Sequence, residues 1–308
     1  MAPRLHPAFL AVVASALMTS CASDRPPDAL ARLRAELEAR IEYSGAEVGL
    51  YYRGLAPTGD SLLLGADTRM HAASTMKVAV MLQLYLDHEA GRSRLDTPVE
   101  VKNTFTSIVD GSTFVLPPDS DSDTTFYGRL GERVPVRELV EHMITWSSNL
   151  ATNILVEVAD ARRVNATLRE LGADSMEVLR GVEDMKAYEA GLSNTTTARD
   201  LGVLLAAVAT GDRLSPESRA SMLGILERQH FRENIPAGVP EGTRVANKTG
   251  WITAHNHDAA VVFPRDQDPY VLVVMVRGLE DQEQAADLVA GLSGLVWSYH
   301  TGSGMAQE

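Results

Sequence analysis

His71-Ala72-Ala73-Ser74-Thr75-Met76-Lys77, running on as VAVMLQLYLDH to His88, is the stretch around which the chain is organised. After Lys77, apolar side chains fall at Val78, Met81, Leu82, Tyr85 and Leu86, the spacing of one helix face. Ala79, Val80 and Leu84 fill most of the other face, which predicts a helix buried nearly all round and ending near Gly91. Ser74 and Lys77 stand three apart at its start, on one side and one turn apart. An amine in such a place must be paired or give up its proton. A lysine that shares or lacks its proton beside a serine can act as the base that turns the hydroxyl into a nucleophile. Taken alone, a serine three residues before a lysine is common and is far more often without a catalytic role.

Two later tripeptides change the weight of that spacing: Ser147-Ser148-Asn149 and Lys248-Thr249-Gly250. Ser-x-x-Lys, Ser-x-Asn and Lys-Thr-Gly follow one another in that order. The set resembles the penicillin-interacting serine enzymes, the class A β-lactamases and penicillin-binding proteins. The resemblance covers nearly the whole chain after residue 28. It implies that Ser74 is acylated by a carbonyl, typically that of a β-lactam ring, with Lys77 activating it. Ser147 would pass a proton to the leaving nitrogen. Asn149 would hydrogen-bond the amide side chain of the substrate and Lys77. Ser148 stands where class A enzymes commonly have aspartate. A helix cap is the plainer reading of Ser147 and Asn149.

The same resemblance makes Lys248 the cation that polarises Ser147 and attracts a substrate carboxylate, with Thr249 binding that carboxylate. Gly250 would let substrate backbone approach. Trp251 would lend its N–H, with that of Ser74, to an oxyanion hole. Tryptophan is unusual at that place and is expected to narrow the cleft. Without its two companions, Lys-Thr-Gly would read as a surface turn.

The 308 residues suffice for one large domain or two interleaved subdomains. A net charge of −13 argues against nucleic acid as a partner. Arg4 and His6 precede the apolar run Ala8 to Met18, too short to span a bilayer. Residues 1–20 therefore read as an export signal. Leu17-Met18-Thr19-Ser20-Cys21 resembles a bacterial lipoprotein cleavage site, with Cys21 as the lipid-bearing first residue and 21–28 as a tether. The plain alternative is a secretory signal with an incidental cysteine. Cys21 is the only cysteine, so no intrachain disulfide is possible. The expected place is the periplasm, as a monomer anchored by lipid to the bacterial envelope.

Residues 28–42 have helical period on Leu30, Leu33, Leu37 and Ile41, and Asp28 is placed to cap them. Val48–Tyr52 and Ser61–Leu64 read as strands around the turn at residues 56–60. Residues 110–131, rich in Asp, Ser, Gly and Pro, read as a long loop. Helical runs follow at Val136–Trp146, Asn149–Val158 and Arg163–Leu171, the last closed by Gly172. Thr197-Ala198-Arg199-Asp200 has the form of a capping box before another helix, and Ser215-Pro216 opens the next. Arg244–Lys248, Ala259–Phe263 and Tyr270–Val276 read as strands, and Asp281–Trp297 as a closing helix. Strands at both ends of the chain with helices between them predict an α+β fold: an antiparallel sheet flanked by terminal helices, plus an all-helical lobe. The β-lactamase/transpeptidase-like fold implied by the resemblance has this layout. The domain would cover residues 29–301, with an α/β lobe of 29–73 and 213–301 and a helical lobe of 74–212.

His255 and His257 alternate, as zinc ligands on one face of a strand would. No further ligand cluster accompanies them, so neither a metal nor a cofactor is expected and these residues are taken to brace the cleft. Arg277 is a candidate for a substrate carboxylate, with an exposed strand end as the plain alternative. Class A enzymes also carry a glutamate on a loop, in the pattern Arg-x-Glu-x-x-Leu-Asn, that activates the deacylating water. Here the chain reads Arg180-Gly181-Val182-Glu183-Asp184-Met185-Lys186-Ala187, followed by Asn194 and three threonines. The arginine-to-glutamate spacing is longer by one, and Ala187 stands where the water-holding asparagine would be. Glu183 is the best base for deacylation, against a loop carboxylate or a salt bridge to Arg180. The leading reading is a serine hydrolase that opens β-lactam rings. A D-Ala-D-Ala peptidase or esterase on the same scaffold, acting on a cell-wall peptide, is the second. A non-turnover penicillin-binding envelope lipoprotein is the third.

Overall fold

The structure, a computed structural model, describes residues 28–303. The expected export signal and Cys21 lie outside the described residues. Helix α1 (Ala29–Ser44) opens the described chain, followed by β1 (Glu47–Gly54), β2 (Ser61–Leu64) and the short β3 (Met70–His71). A 3₁₀ turn (Ala73–Met76) leads into α2 (Lys77–Glu89). Then come β4 (Pro98–Glu100), β5 (Phe105–Thr106), β6 (Thr113–Phe114), two 3₁₀ turns (Pro118–Ser120 and Thr125–Arg129) and β7 (Arg133–Pro135). Helices α3 (Val136–Thr145), α4 (Asn149–Ala159), α5 (Ala161–Leu171) and α6 (Met185–Glu189) precede β8 (Thr195–Thr196), α7 (Ala198–Thr210) and α8 (Pro216–Glu227). After a 3₁₀ turn (Ile235–Gly238), β9 (Arg244–Ile252), β10 (His255–Phe263), β11 (Tyr270–Arg277) and α9 (Gln282–Thr301) complete the described chain.

The main sheet has the order β2-β1-β11-β10-β9, antiparallel throughout. Tyr270 to Val276, in the central strand, are all buried, which is why that segment is continuously apolar instead of alternating. One face of the sheet packs Leu50, Tyr52, Leu272, Val274 and Val276 against Leu33 and Leu37 of α1 and Val289, Leu292 and Val296 of α9. The other face, with Tyr51, Val261, Val273 and Met275, joins the cluster that contains α2. Helix α7 lies close on that face: a Cβ on Gly202 would stand 2.3 Å from the Tyr51 ring. Helix α2 is buried from Lys77 through Tyr85, as its apolar spacing on both faces requires, and packs against α3, α4, α5, α7 and α8.

Several local expectations are corrected. Asp28 makes no capping hydrogen bond; its carboxylate accepts Arg32 Nε at 2.7 Å instead. The turn holding Ser74 is 3₁₀, and the α-helix begins only at Lys77. Strand β9 runs four residues past Lys248, and β10 starts four residues before Ala259. Lys-Thr-Gly and His-Asn-His-Asp are therefore inside paired strands. Their polar side chains hide the strand period because they face the cleft or each other. Residues 110–131 are not one loop: they contain β6 and both 3₁₀ turns.

Candidate active site

Ser74 sits in a turn that its neighbours shape. His71 Nδ1 accepts the Ala73 N–H at 3.0 Å, and Thr75 Oγ1 donates to the Ala72 carbonyl at 2.6 Å. The Ala72 N–H donates to the carbonyl of Asn194 at 2.9 Å, tying the turn to a distant loop. Gly250 of β9 presses on the same turn: a Cβ there would stand 2.7 Å from the Ser74 nitrogen and 2.9 Å from that of Thr75. Any side chain at position 250 would push β9 off this turn.

Lys77 is fully buried, and its three N–H groups have three acceptors. Nζ donates to the Ser147 carbonyl (2.7 Å), to Ser147 Oγ (3.0 Å) and to Asn149 Oδ1 (3.0 Å). Burial lowers its pKa from 10.5 to about 7, opposed by the carboxylate of Asp121. The Lys77 hydrogen bonds thus go to the Ser-x-Asn turn and none to Ser74. Lys248 Nζ donates to Ser147 Oγ from the other side at 3.2 Å and to the Thr249 carbonyl at 2.8 Å. Burial, then the charge of Lys77, pushes Lys248 well below its ordinary value, while Asp258 opposes the shift. Ser147 Oγ is therefore held between two amines. Thr249 Oγ1 is buried and has no hydrogen-bond partner among the described residues. The cap of α4 is Ser148, whose Oγ accepts the Ala151 N–H at 3.3 Å, leaving Ser147 and Asn149 free of that duty.

A cleft of about 500 Å³ is lined by Ser74, Ser147, Asn149, Arg180, Glu183 and Trp251 among others. It brings together Ser74, the Ser147–Asn149 turn, Glu183 and Trp251, which are far apart in sequence; Lys248 and Thr249 are buried, and Lys248 reaches the group through Ser147 Oγ. Glu183 forms no ion pair with Arg180 among the described residues; the guanidinium donates to the carbonyls of Leu192 and Gly181, each at 3.0 Å. The loop before Glu183 is strapped by three asparagine side chains. Asn165 pairs with the N–H and carbonyl of Val178 (2.9 and 2.8 Å), Asn194 with those of Arg180 (3.1 and 3.0 Å), and Asn153 with those of Val182 (2.6 and 2.9 Å). Each amide does what a neighbouring strand would do at alternate residues. Asp184 then caps α6 and accepts Ser107 Oγ at 2.8 Å and the Ile108 N–H at 3.0 Å.

Among the described residues, five non-glycine positions have positive φ, and Ala73 (+46°), Ser147 (+59°) and Glu183 (+63°) all line this cleft. Such conformations cost of order ~1–3 kcal/mol each and persist where the surroundings enforce them, as at functional sites. Trp251 is 40% exposed and meets Phe231 edge-on, with centroids 4.8 Å apart. His257 is buried, with Nε2 against the His71 carbonyl (3.0 Å) and Nδ1 against the Val276 N–H (3.2 Å). Both nitrogens are committed to backbone, and burial lowers its pKa to about 4. It braces the Ser74 turn, while His255 lines the cleft. Arg277 pairs with Glu47, its cross-strand partner, at the surface. Sequence reading missed Asp121, Asp184 and the three asparagines, because single polar residues scattered over helices and loops carry no spacing signal.

The model of the Beta-lactamase enzyme family matches residues 32–300. A β-lactamase of Streptomyces lavendulae is 31% identical over 258 residues, covering 81% of this chain and 78% of the relative. Among solved structures, PBP-A is similar with a TM-score of 0.77 and 27% identity over 89% of this chain and 97% of its own. An ancestral class A β-lactamase reaches 0.74 and 25% identity over 86% and 98%. Matched by that family model over residues 32–300 and 31% identical to the Streptomyces lavendulae enzyme over most of its length, the chain belongs to the β-lactamase enzyme family.

Proposed function

We propose that the chain is a serine β-lactamase working through an acyl-enzyme on Ser74. Ser74 Oγ attacks the ring carbonyl while its proton passes to neutral Lys77. The ring C–N bond then breaks, and the Ser147 hydroxyl delivers a proton to the leaving nitrogen, recovering one from the lysines that flank it. Thr249 and Lys248 receive the substrate carboxylate, and Asn149 its amide side chain. The N–H groups of Ser74 and Trp251 form the oxyanion hole. In the second half, Glu183 takes a proton from a water that attacks the acyl carbon, the ester C–O bond breaks, and Ser74 recovers its proton. The observation that carries the reading is Ser147 Oγ suspended between Lys77 and Lys248 in the cleft that Ser74 also lines. That Glu183 shares the cleft with Ser74 supports its role as the base. We further propose that the native protein is exported and begins at a lipid-bearing Cys21, a reading supported by the apolar run ending at the sole cysteine.

Intact-mass spectrometry tests both parts. On mixing with a penicillin, the wild type should show a transient adduct with hydrolysed product, and Ser74→Ala neither. Glu183→Gln should acylate readily and lose the adduct about a hundred- to ten-thousand-fold more slowly. Turnover by Ser74→Ala would sink the serine mechanism, and a wild type that keeps its adduct would mean a penicillin-binding protein. The mass of the protein recovered from its host membranes should be that of a chain starting at lipidated Cys21; a soluble chain starting elsewhere would refute the anchor.

A further inference from the structure

The Lys77 cluster depends on a turn whose geometry is set from outside it. Ser147 takes φ +59°, and its carbonyl and hydroxyl supply two of the three acceptors of Lys77. Asn149 supplies the third. In the Ser-Asp-Asn form of this motif the middle residue is a carboxylate, and here it is Ser148. A carboxylate reaches the same turn from the segment before it. Asp121 Oδ1 accepts the N–H of Asn149 at 2.8 Å and that of Asp123 at 3.1 Å. Its Oδ2 accepts the N–H of Leu150 at 2.8 Å and the hydroxyl of Tyr127 at 3.1 Å. The donors at the start of α4 and the positive end of its dipole thus meet a full negative charge. The segment carrying Asp121 is itself pinned. Asp123 accepts the Thr125 N–H at 2.9 Å and pairs with His142 Nδ1 at 2.7 Å, and the carbonyl of His142 accepts the Ser148 N–H at 3.1 Å.

We propose that Asp121 is a positioning residue for the reaction. It holds the Ser147–Asn149 turn against Lys77 and supplies, from the neighbouring segment, the negative charge that this motif otherwise carries at its middle residue. Asp121 touches neither substrate nor Ser74; it acts through the place and protonation of Lys77. The charged groups around Lys77 are Asp121 and, across Ser147 Oγ, Lys248, which in turn faces Asp258. Because the proposal rests on Ser74 acylation, the test reads that step directly.

The acylation rate constant with a penicillin is measured by quenched-flow mass spectrometry from pH 5 to 9. Asp121→Asn keeps the shape but removes the charge and one set of acceptors. Its acylation should fall by about tenfold or more, and the acid limb of the profile should move down by about one pH unit, because Lys77 loses its stabilising anion. Ser148→Asp added to Asp121→Asn should bring the limb back. Asp121→Glu, with the charge kept on a longer arm, should lose rate and hold the limb. If Asp121→Asn acylates within about twofold of wild type with the limb in place, the proposal is wrong. Lost rate with an unmoved limb makes Asp121 a helix cap and nothing more. A wild type that never acylates removes the reading of the site and this inference with it, and is told apart by the first trace.

Discussion

Lys77 joins structure to chemistry at a single nitrogen. Its three hydrogen bonds fix where the amine is, and burial sets how readily it gives up its proton. With a pKa of about 7 against the usual 10.5, the amine is mostly protonated below pH 7 and mostly neutral above it. A base must be neutral to accept the proton of Ser74. Acylation should therefore fall by about tenfold for each pH unit below about 7, and level off above it. Single-turnover kinetics with a penicillin check this; a rate unchanged between pH 7 and 5.5 would exclude Lys77 as the base. The identity of this base was legible in the sequence from its spacing to Ser74. Of its partners, Asn149 was expected through the family resemblance, while Ser147 was not, since it lies 70 residues away and only the packed chain brings the two within 3.0 Å.

At the scale of elements, the loop from Val178 to Glu183 has no regular structure, yet its backbone is paired at every second residue by Asn165, Asn194 and Asn153. Each amide supplies one donor and one acceptor, so removing one leaves two backbone groups unmet, at about 1–3 kcal/mol for each that stays buried. Glu183 follows the last of these contacts with a positive φ. Its position is inherited from the strap. Asn165→Ala, far from Ser74 in sequence and carried by α5, should leave acylation within about threefold and slow deacylation by about tenfold, since a misplaced base loses rate steeply. Separate measurement of the two steps decides it, and equal loss in both would mean the strap only stabilises the fold. Helix starts and ends were readable because caps and glycines act locally. Thr197 accepts the Asp200 N–H at 3.1 Å and Ser215 the Ser218 N–H at 3.1 Å, as their sequences imply. Asp28 did not follow its local signal, because Arg32 one turn on competes for the carboxylate.

For the whole molecule, the sheet separates two cores. No side chain of the α1 and α9 core lines the cleft that holds Ser74 and Ser147. Stability and chemistry should therefore be separable. Leu292 of α9 is fully buried against the far face. Leu292→Ala should cost about 2–5 kcal/mol through the cavity it leaves, lowering Tm by several degrees. Acylation at 25 °C by the folded fraction should be unchanged; a change greater than about threefold would show that the far core couples to the site.

The sequence by itself determined the helices and strands with one clear period, the α+β order, the three motifs and the chemistry those residue types permit. These follow from neighbours within a few positions, where side-chain spacing and capping decide the outcome. Only the tertiary structure decided that Gly250 packs on the Ser74 turn, that Lys77 bonds to Ser147 instead of Ser74, and that the bracing His257 holds the His71 carbonyl and the Val276 N–H. It alone brought Asp121 to α4 and three asparagines to one loop. The physical reason is that a buried polar group must find a partner wherever the packed chain offers one. That partner is chosen by distance in space, to which distance along the chain gives no guide.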